Sequence, residues 1–172
     1  MKINFKINNK ARTTKLESRR GFMMVEIIVA SSIMLISILA VMAVAQKSVV
    51  LSERSIHTAQ ANFLLEEGAE AVRILRDNNW TNISGLSQGT HYSLSFSSNT
   101  WNISNIGTPE VVGKFSRIVD IFTVNRDATT ADIVTNGGVL DNGTKLITIT
   151  VTWPEGGQTL SKTFKFYLSD IF

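Results

Sequence analysis

The apolar residues of this chain follow three successive patterns, and the first is a nearly uniform run. Residues 22–45 contain one charge, Glu26, and three serines, with neither proline nor glycine. At about 1.5 Å per residue, such a run is long enough to cross a bilayer core of roughly 30 Å. The first pattern therefore predicts a membrane-spanning helix over residues 22–45.

Residues 46–79 keep a helical period, but the apolar positions now cover one face. Val49, Ile56 and Phe63 are spaced seven apart, and other apolar residues widen this stripe: Ala59, Leu64, Ala71, Val72 and Leu75. Gly68 weakens the pattern, and Asn78-Asn79 are typical of a helix end. We expect one helix of roughly 55 residues, apolar in its first half and amphipathic in its second.

Residues 80–172 show short alternating runs between Ser-, Asn- and Gly-rich segments. Strands are predicted over residues 91–96, 114–126 and 145–153. The turn sequence "PEGGQ" then leads into a paired strand with apolar positions at Leu160, Phe164, Phe166 and Leu168. The predicted fold class is α+β: a long N-terminal helix whose amphipathic half packs on a C-terminal antiparallel β-sheet.

Within the strand over residues 145–153, Ile147, Ile149, Val151 and Trp153 share one face, and three threonines occupy the other. We expect the apolar face, including Trp153, to meet the helix. The sequence "DNGT" at residues 141–144 is typical of a hairpin turn between strands.

The charge balance separates an N-terminal arm from the rest. Residues 1–21 carry seven cations and one anion, so the remaining chain has a net charge of −3 although the whole has +3. A basic arm directly before an apolar run is typical of the cytoplasmic flank of a membrane helix. The basic charge lies outside the predicted folded part, so no nucleic-acid partner is expected. The chain has no cysteine, which excludes disulfides and Cys-based metal sites.

Catalytic and metal-binding patterns are weak. The sequence "GLSQG" at residues 85–89 fits G-x-S-x-G, but polar loop precedes it and a strand-like run follows, whereas a nucleophile elbow needs a strand before and a helix after. His57 lies on the predicted helix without a second ligand at metal spacing, which favours a surface or packing role. No catalytic residue, cofactor or metal is therefore expected.

Glu26 is the residue that the apolar run does not explain, because an ionisable group inside a membrane is costly and needs a partner. No Lys or Arg lies within residues 22–45. A cut after Gly21 would free an α-amine on Phe22 and supply the missing positive charge. The alternative is a carboxylate tolerated near a membrane interface.

The spacing from Gly21 through Phe22 to Glu26 resembles the cleavage motif of type IV prepilins and type II secretion pseudopilins. The sequence "FLLEEGAEAVRILRDNNW" at residues 63–80, the "TITVTW" strand and the closing aromatic hairpin are similar to minor pilins labelled type IV pilus modification proteins. The resemblance covers most of the chain, and residues 97–142 match only loosely. It implies a pilin-like fold and a structural subunit without enzymatic activity.

The resemblance also implies a role for each motif residue. Gly21 would precede the bond cut by a prepilin peptidase, and Phe22 would become the N-methylated N-terminus. Glu26 would pair with the Phe22 amine of a neighbouring subunit, while a pair within one helix competes, since the two lie four apart. The implied partners are other pilin subunits, the peptidase, an inner-membrane assembly platform and, before assembly, membrane lipid.

These roles divide the chain into a cleaved leader (1–21), an assembly helix (22–45), an amphipathic helix (46–79) and a sheet domain (80–172). The protein would be a single-pass membrane protein before assembly, and then part of an extracellular or periplasmic filament. Two departures from many pilins stand out: no proline interrupts the apolar helix, and no disulfide closes the C-terminal region. Some pseudopilins bind calcium in C-terminal loops, which makes Asp141 and Asn142 alternative ligands to the plain turn.

Three other interpretations stay open. A type II secretion pseudopilin would share the same motif. A single-pass anchor could display a binding domain instead of assembling. Residues 18–23 also resemble a twin-arginine export motif, followed by a signal-peptidase-like site at residues 43–45. The apolar run, however, exceeds the usual apolar region of a signal peptide, which is about 7–15 residues long.

Overall fold

The computed structural model describes the backbone of residues 10–105 and 109–171, with side chains from residue 21 onward. Two helices are present in this part of the chain, α1 (Lys10–Asn78) and α2 (Thr81–Ser84). The chain divides into two compact units, Met1–Glu53 and Arg54–Phe172, and α1 contributes residues to both. Residues 1–9 of the predicted leader lie outside the described residues.

The first unit is helical from Lys10 and has exposed side chains throughout residues 21–53. The described residues contain one helix long and apolar enough to cross a membrane, Gly21–Asn78. This confirms the predicted helix over residues 22–45. Helical backbone begins earlier than the apolar run because nothing between Lys10 and Gly21 breaks a helix: the segment has no proline and no internal glycine.

The second unit contains an antiparallel sheet. Its strands are β1 (His91–Ser97), β2 (Thr100–Ser104), β3 (Glu110–Val112), β4 (Phe115–Arg126), β5 (Ile133–Val134), β6 (Val139–Glu155) and β7 (Gln158–Ser169). The main order is β2-β1-β4-β6-β7, and β3 and β5 also pair with β4. The three predicted strands correspond to β1, β4 and the second half of β6, and the predicted closing strand is β7.

The core of the second unit lies between the sheet and the C-terminal part of α1. Ile147, Ile149 and Val151 are fully buried and Trp153 nearly so, as their shared face predicted. From α1, the buried apolar residues are Ala61, Leu65, Ala69, Ala71, Val72 and Leu75. The predicted α+β arrangement of a long helix and an antiparallel sheet is therefore confirmed.

The turn between β6 and β7 is made by two glycines. Gly156 and Gly157 have φ values of +57° and +79°. A two-residue hairpin of type I′ needs positive φ at both central positions, which glycine adopts without steric cost. The turn predicted from "PEGGQ" is confirmed, and it sets a register in which Trp153 pairs with Leu160.

The predicted apolar stripe of the amphipathic helix is right at Ala71, Val72 and Leu75, which are buried, and wrong at its seven-residue series. Ile56 and Phe63 stay 53% and 69% exposed. The buried face instead advances through positions 61, 65, 68, 72 and 75, in alternating steps of four and three. The seven-residue series reaches Glu70 at its next position and cannot continue into a core. Smaller residues on the neighbouring face let α1 approach the sheet.

The predicted hairpin turn at residues 141–144 is also wrong. Thr123 of β4 pairs with Lys145 of β6, whereas the next residue, Val124, pairs with Asp141. Residues 142–144 therefore form a bulge inside β6. Since the residues on both sides pair with the same strand, the chain does not reverse here.

Candidate functional site

The predicted processing residues lie on consecutive positions of exposed helix in the first unit. Phe22 is 81% exposed, and a Cβ placed on Gly21 would meet no other atom within 4 Å. Phe22 and Glu26 are four residues apart, so they occupy one helical face. The structure thus brings Gly21, Phe22 and Glu26 together within about one and a half helical turns.

Glu26 differs from the other polar residues of the apolar run. Ser31, Ser32 and Ser37 each donate their hydroxyl to a backbone carbonyl one turn earlier, at 2.6 to 3.0 Å. Among the described residues, the Glu26 carboxylate has no hydrogen bond or ion pair. It is thus the one polar side chain of residues 22–45 whose bonding capacity is left unused by the described residues. Such a carboxylate can accept hydrogen bonds from a cationic group outside these contacts.

A second group of charges, which the sequence analysis missed, surrounds Arg117 in the second unit. Arg117 is 1% exposed and lies on the helix-facing side of β4. Its Nη1 donates to the carbonyl of Leu64 at 2.9 Å and to Glu67 Oε2 at 3.1 Å. Its Nε donates to Glu110 Oε2 at 2.8 Å. Nη2 lies 2.7 Å from that same oxygen as an ion pair, without hydrogen-bond alignment.

The Arg117 guanidinium therefore joins three elements: α1, β3 and its own strand β4. Its charge is compensated by two carboxylates, which is what a buried cation requires. We interpret the cluster as a clamp for packing, since its donors are already directed at protein acceptors. One feature of the sequence indicated this burial. Arg117 occupies a position of the alternating strand that points inward, between the inward positions Phe115 and Val119.

His57 forms the second missed contact. Its Nδ1 lies 2.6 Å from Glu155 Oε2, and Lys114 Nζ lies 3.7 Å from the same oxygen. Burial alone raises the pKa of Glu155, but the hydrogen bond from His57 and the charges of His57 and Lys114 outweigh it and lower this pKa below its ordinary value. The packing role expected for His57 is thus a hydrogen bond between α1 and the end of β6.

Asp141, one of the two alternative calcium ligands, is engaged in hydrogen bonds to other groups of the protein. Asp141 accepts from Arg126 Nε at 2.6 Å and from the Gly143 amide at 2.9 Å. The hydrogen bond from Arg126 is the main reason that the pKa of Asp141 is lowered. Within the described part of the chain, no group of three His, Cys, Asp or Glu side chains could hold a metal ion.

Ser87, the central residue of the G-x-S-x-G sequence, lies in the loop between α2 and β1. Its backbone amide donates to the hydroxyl of Tyr92 at 2.7 Å. The surroundings are a one-turn helix before and a strand after, the reverse of the strand-to-helix elbow that exposes a nucleophilic serine.

Comparison of the chain with protein-family models, with curated proteins and with solved structures gave no significant match.

Proposed function

We propose that this protein is a structural subunit of a type IV pilus, a minor pilin, assembled through its N-terminal helix. The observation that carries the proposal is Glu26: a carboxylate without a partner among the described residues, at the fifth position after Gly21, inside an exposed apolar helix. An ordinary membrane anchor has no use for such a group.

The proposed processing explains the spacing. Cleavage after Gly21 converts the Phe22 amide into a free amine, and a prepilin peptidase then methylates it. The methylated amine keeps its positive charge, so it can pair with a carboxylate. A buried ion pair is tolerated only when both charges are compensated, which favours subunits in register.

The proposed assembly uses the exposed apolar surface of residues 22–45. In the membrane this surface is solvated by lipid. In a filament it packs against the same surface of neighbouring subunits, and Glu26 meets the Phe22 amine of one of them. The sheet domain takes no chemical part and lies outside the helical bundle. The assembly platform in the inner membrane would move the subunit from one setting to the other.

Intact mass of the protein extracted from the envelope tests the processing step. We expect a chain that begins at Phe22 and carries one additional methyl group. A chain beginning at Gln46 would favour the export-signal interpretation instead. An uncut chain with normal function would contradict both, because neither the free amine nor a signal-peptidase product would then exist.

A type II secretion pseudopilin is the second candidate, because the same Gly21–Glu26 spacing serves it equally well. The two differ in where the processed protein collects. A pilus subunit appears in filaments sheared from the cell surface, whereas a pseudopilin stays with the envelope. A single-pass anchor with a binding domain is distinguished by genes nearby, since it needs neither a prepilin peptidase nor an assembly ATPase.

A further inference from the structure

A pocket of about 500 Å³ opens in the second unit where α1 ends, between α2 and β2. Its volume falls in the range of small-molecule sites, roughly 300–1,000 Å³. Amides, hydroxyls and one indole make its polar and aromatic lining: Asn78, Asn82, Asn102, Thr81, Thr100 and Trp101. None of the residues that line it is charged.

Trp101 supplies the aromatic surface of the pocket, and its indole is held in place by contacts with Phe96 and Arg117. Its ring centroid lies 5.3 Å from that of Phe96 at an interplanar angle of 59°. The guanidinium carbon of Arg117 lies 5.9 Å from the same ring. Because the buried Arg117 is itself fixed by three acceptors, the indole is preorganised, while part of it stays open to the pocket.

The amides of the pocket are oriented by their own hydrogen bonds. Asn82 Nδ2 donates to the carbonyl of Leu75 at 3.0 Å. Asn102 Nδ2 donates to the carbonyl of Thr100 at 3.3 Å and to Ser97 Oγ at 3.2 Å, on the face of β2 opposite the Trp101 indole. A carbonyl only accepts, so in each amide the Nδ2 group must face it and Oδ1 is left over. Within the described residues, the Asn78 amide has no partner at all.

Apart from Asn102, the free groups are one acceptor oxygen on Asn82, the complete Asn78 amide and an aromatic ring, in a pocket lined by uncharged residues. We propose that this pocket binds a neutral saccharide. Sugar hydroxyls donate to the Asn82 oxygen and exchange both kinds of hydrogen bond with Asn78. The C–H face of a pyranose ring packs on the indole, as an amphipathic ligand does on an aromatic surface.

The uncharged lining decides between classes of ligand. A phosphate or carboxylate entering the pocket would lose its hydration without meeting an uncompensated cation, because the nearby Arg117 is already paired with Glu67 and Glu110. A neutral polyhydroxylated ring loses less hydration free energy on entering the pocket. Its hydroxyls replace the lost hydrogen bonds to water with hydrogen bonds to the amides. The proposal goes beyond the filament role and does not depend on it, since every residue used lies in the second unit.

The test uses the full chain in dodecylphosphocholine micelles, because sugar-based detergents would compete. The probes are maltotriose, cellotriose and tri-N-acetylchitotriose, with sialyllactose as the acidic comparison. We expect saturation-transfer NMR signals from at least one neutral probe and a saturable change in tryptophan fluorescence. Asn78→Ala should weaken that probe by about fivefold, the factor for one lost hydrogen bond.

Two further variants make the assignment specific. Trp101→Phe should weaken binding by removing part of the aromatic surface. Gln158→Ala removes an exposed amide at the β6–β7 turn and should leave binding unchanged. No transfer from any neutral probe, tighter binding of sialyllactose, or equal binding by wild type and Asn78→Ala would each overturn the proposal. Asn78 is exposed, so its variant decides the question even if Trp101→Phe fails to fold.

Discussion

At the scale of single residues, two charges stand in unusual surroundings for opposite reasons. Glu26 lies in an apolar run and has no partner among the described residues, whereas Arg117 is buried among three acceptors. The described residues do not compensate the first charge, whereas they compensate the second. Substitutions at these positions should therefore affect different properties: assembly at Glu26 and stability at Arg117.

Glu26→Gln should leave membrane insertion and leader cleavage largely intact but impair entry into filaments. Gln keeps the shape and removes the charge, so the Phe22 amine would enter the bundle without a counter-ion. An unpaired buried charge costs about 3 kcal/mol or more, which reduces incorporation roughly a hundredfold. The measurement is the ratio of processed protein in sheared filaments to that in membranes.

Glu53→Gln serves as the matched control, because Glu53 is an exposed carboxylate on the same helix outside the apolar run. It should leave that ratio unchanged. An unchanged ratio for Glu26→Gln as well would show that Glu26 is merely tolerated by the membrane.

Arg117→Lys should lower the free energy of unfolding by about 2 kcal/mol, because an ammonium cannot reproduce the planar set of donors to α1 and β3. Arg73→Lys is the comparison: Arg73 pairs with Glu70 on the helix surface and its guanidinium carbon lies 5.3 Å from the Phe166 ring centroid, so a loss of about 1 kcal/mol is expected. Urea titrations of the micelle-bound chain, followed by tryptophan fluorescence, measure both. Equal losses would mean that burial of Arg117 adds nothing.

The His57–Glu155 pair makes stability depend on pH on the acid side. The pKa of Glu155 is lowered in the folded state, so its contribution is present above the ordinary value of 4.5 and is lost as the pH falls below it. Asp141, whose pKa Arg126 lowers, acts in the same direction. Glu155→Gln should therefore flatten the acid decline of the unfolding free energy.

Glu66→Gln is the control for the pH measurement, since it removes an exposed carboxylate that has no ion pair among the described residues. Its acid profile should follow that of the wild type. If the Glu155→Gln profile also follows the wild type, the ion pair with His57 is not what links stability to pH.

Sequence reasoning reached Glu26 but neither ion-pair cluster, and the difference is physical. A carboxylate inside an apolar run contradicts its immediate neighbours, so the sequence alone makes it conspicuous. Arg117 and Glu67 are 50 residues apart, and His57 and Glu155 are 98 apart. Such partners become neighbours only through the register of the sheet and the docking of α1.

At the scale of elements, the contact between α1 and the sheet depends on Gly68. A Cβ at this position would lie 3.3 Å from Arg117 Cδ and 3.3 Å from Ile149 Cδ1. The residue that weakens the helical pattern therefore lies where α1 packs closely against side chains of β4 and β6. Glycine lowers the helix propensity at this position, but its missing side chain lets α1 lie close to the sheet.

Gly68→Ala should change the free energy of unfolding by less than about 1 kcal/mol, because improved helix propensity offsets mild crowding. Gly68→Leu should destabilise by more than about 2 kcal/mol, since the larger side chain must displace Arg117 and Ile149. Thermal unfolding by circular dichroism compares the two. A leucine variant as stable as the wild type would contradict the close approach.

The elements themselves were largely predictable, and their relation was less so. The alternation of apolar and polar residues located β4 and the second half of β6, because their inward side chains share one core with α1. The buried face of the helix was misjudged. Large residues at Ile56 and Phe63 suggested a seam, but the core selected smaller residues that permit closer packing.

At the scale of the whole molecule, the two units differ in where their apolar residues lie. Residues 21–53 have exposed side chains, whereas the second unit has its own core built from α1, β4 and β6. Deleting residues 1–49 should leave a folded, soluble, monomeric domain. Circular dichroism and gel filtration measure this, and an unfolded fragment would show that the core is insufficient alone.

The outermost strand has a consequence for how copies of the chain meet. β7 is twelve residues long, and within the described residues only β6 pairs with it, which leaves its other edge as a template for foreign strands. Phe164 is partly exposed there, but Lys162 and Lys165 stand on either side of it. Lys162 Nζ donates to Asn62 Oδ1 of α1 at 3.0 Å. The Lys165 ammonium repels the same edge of another copy, so this lysine discourages amyloid-like aggregation when many chains are crowded together.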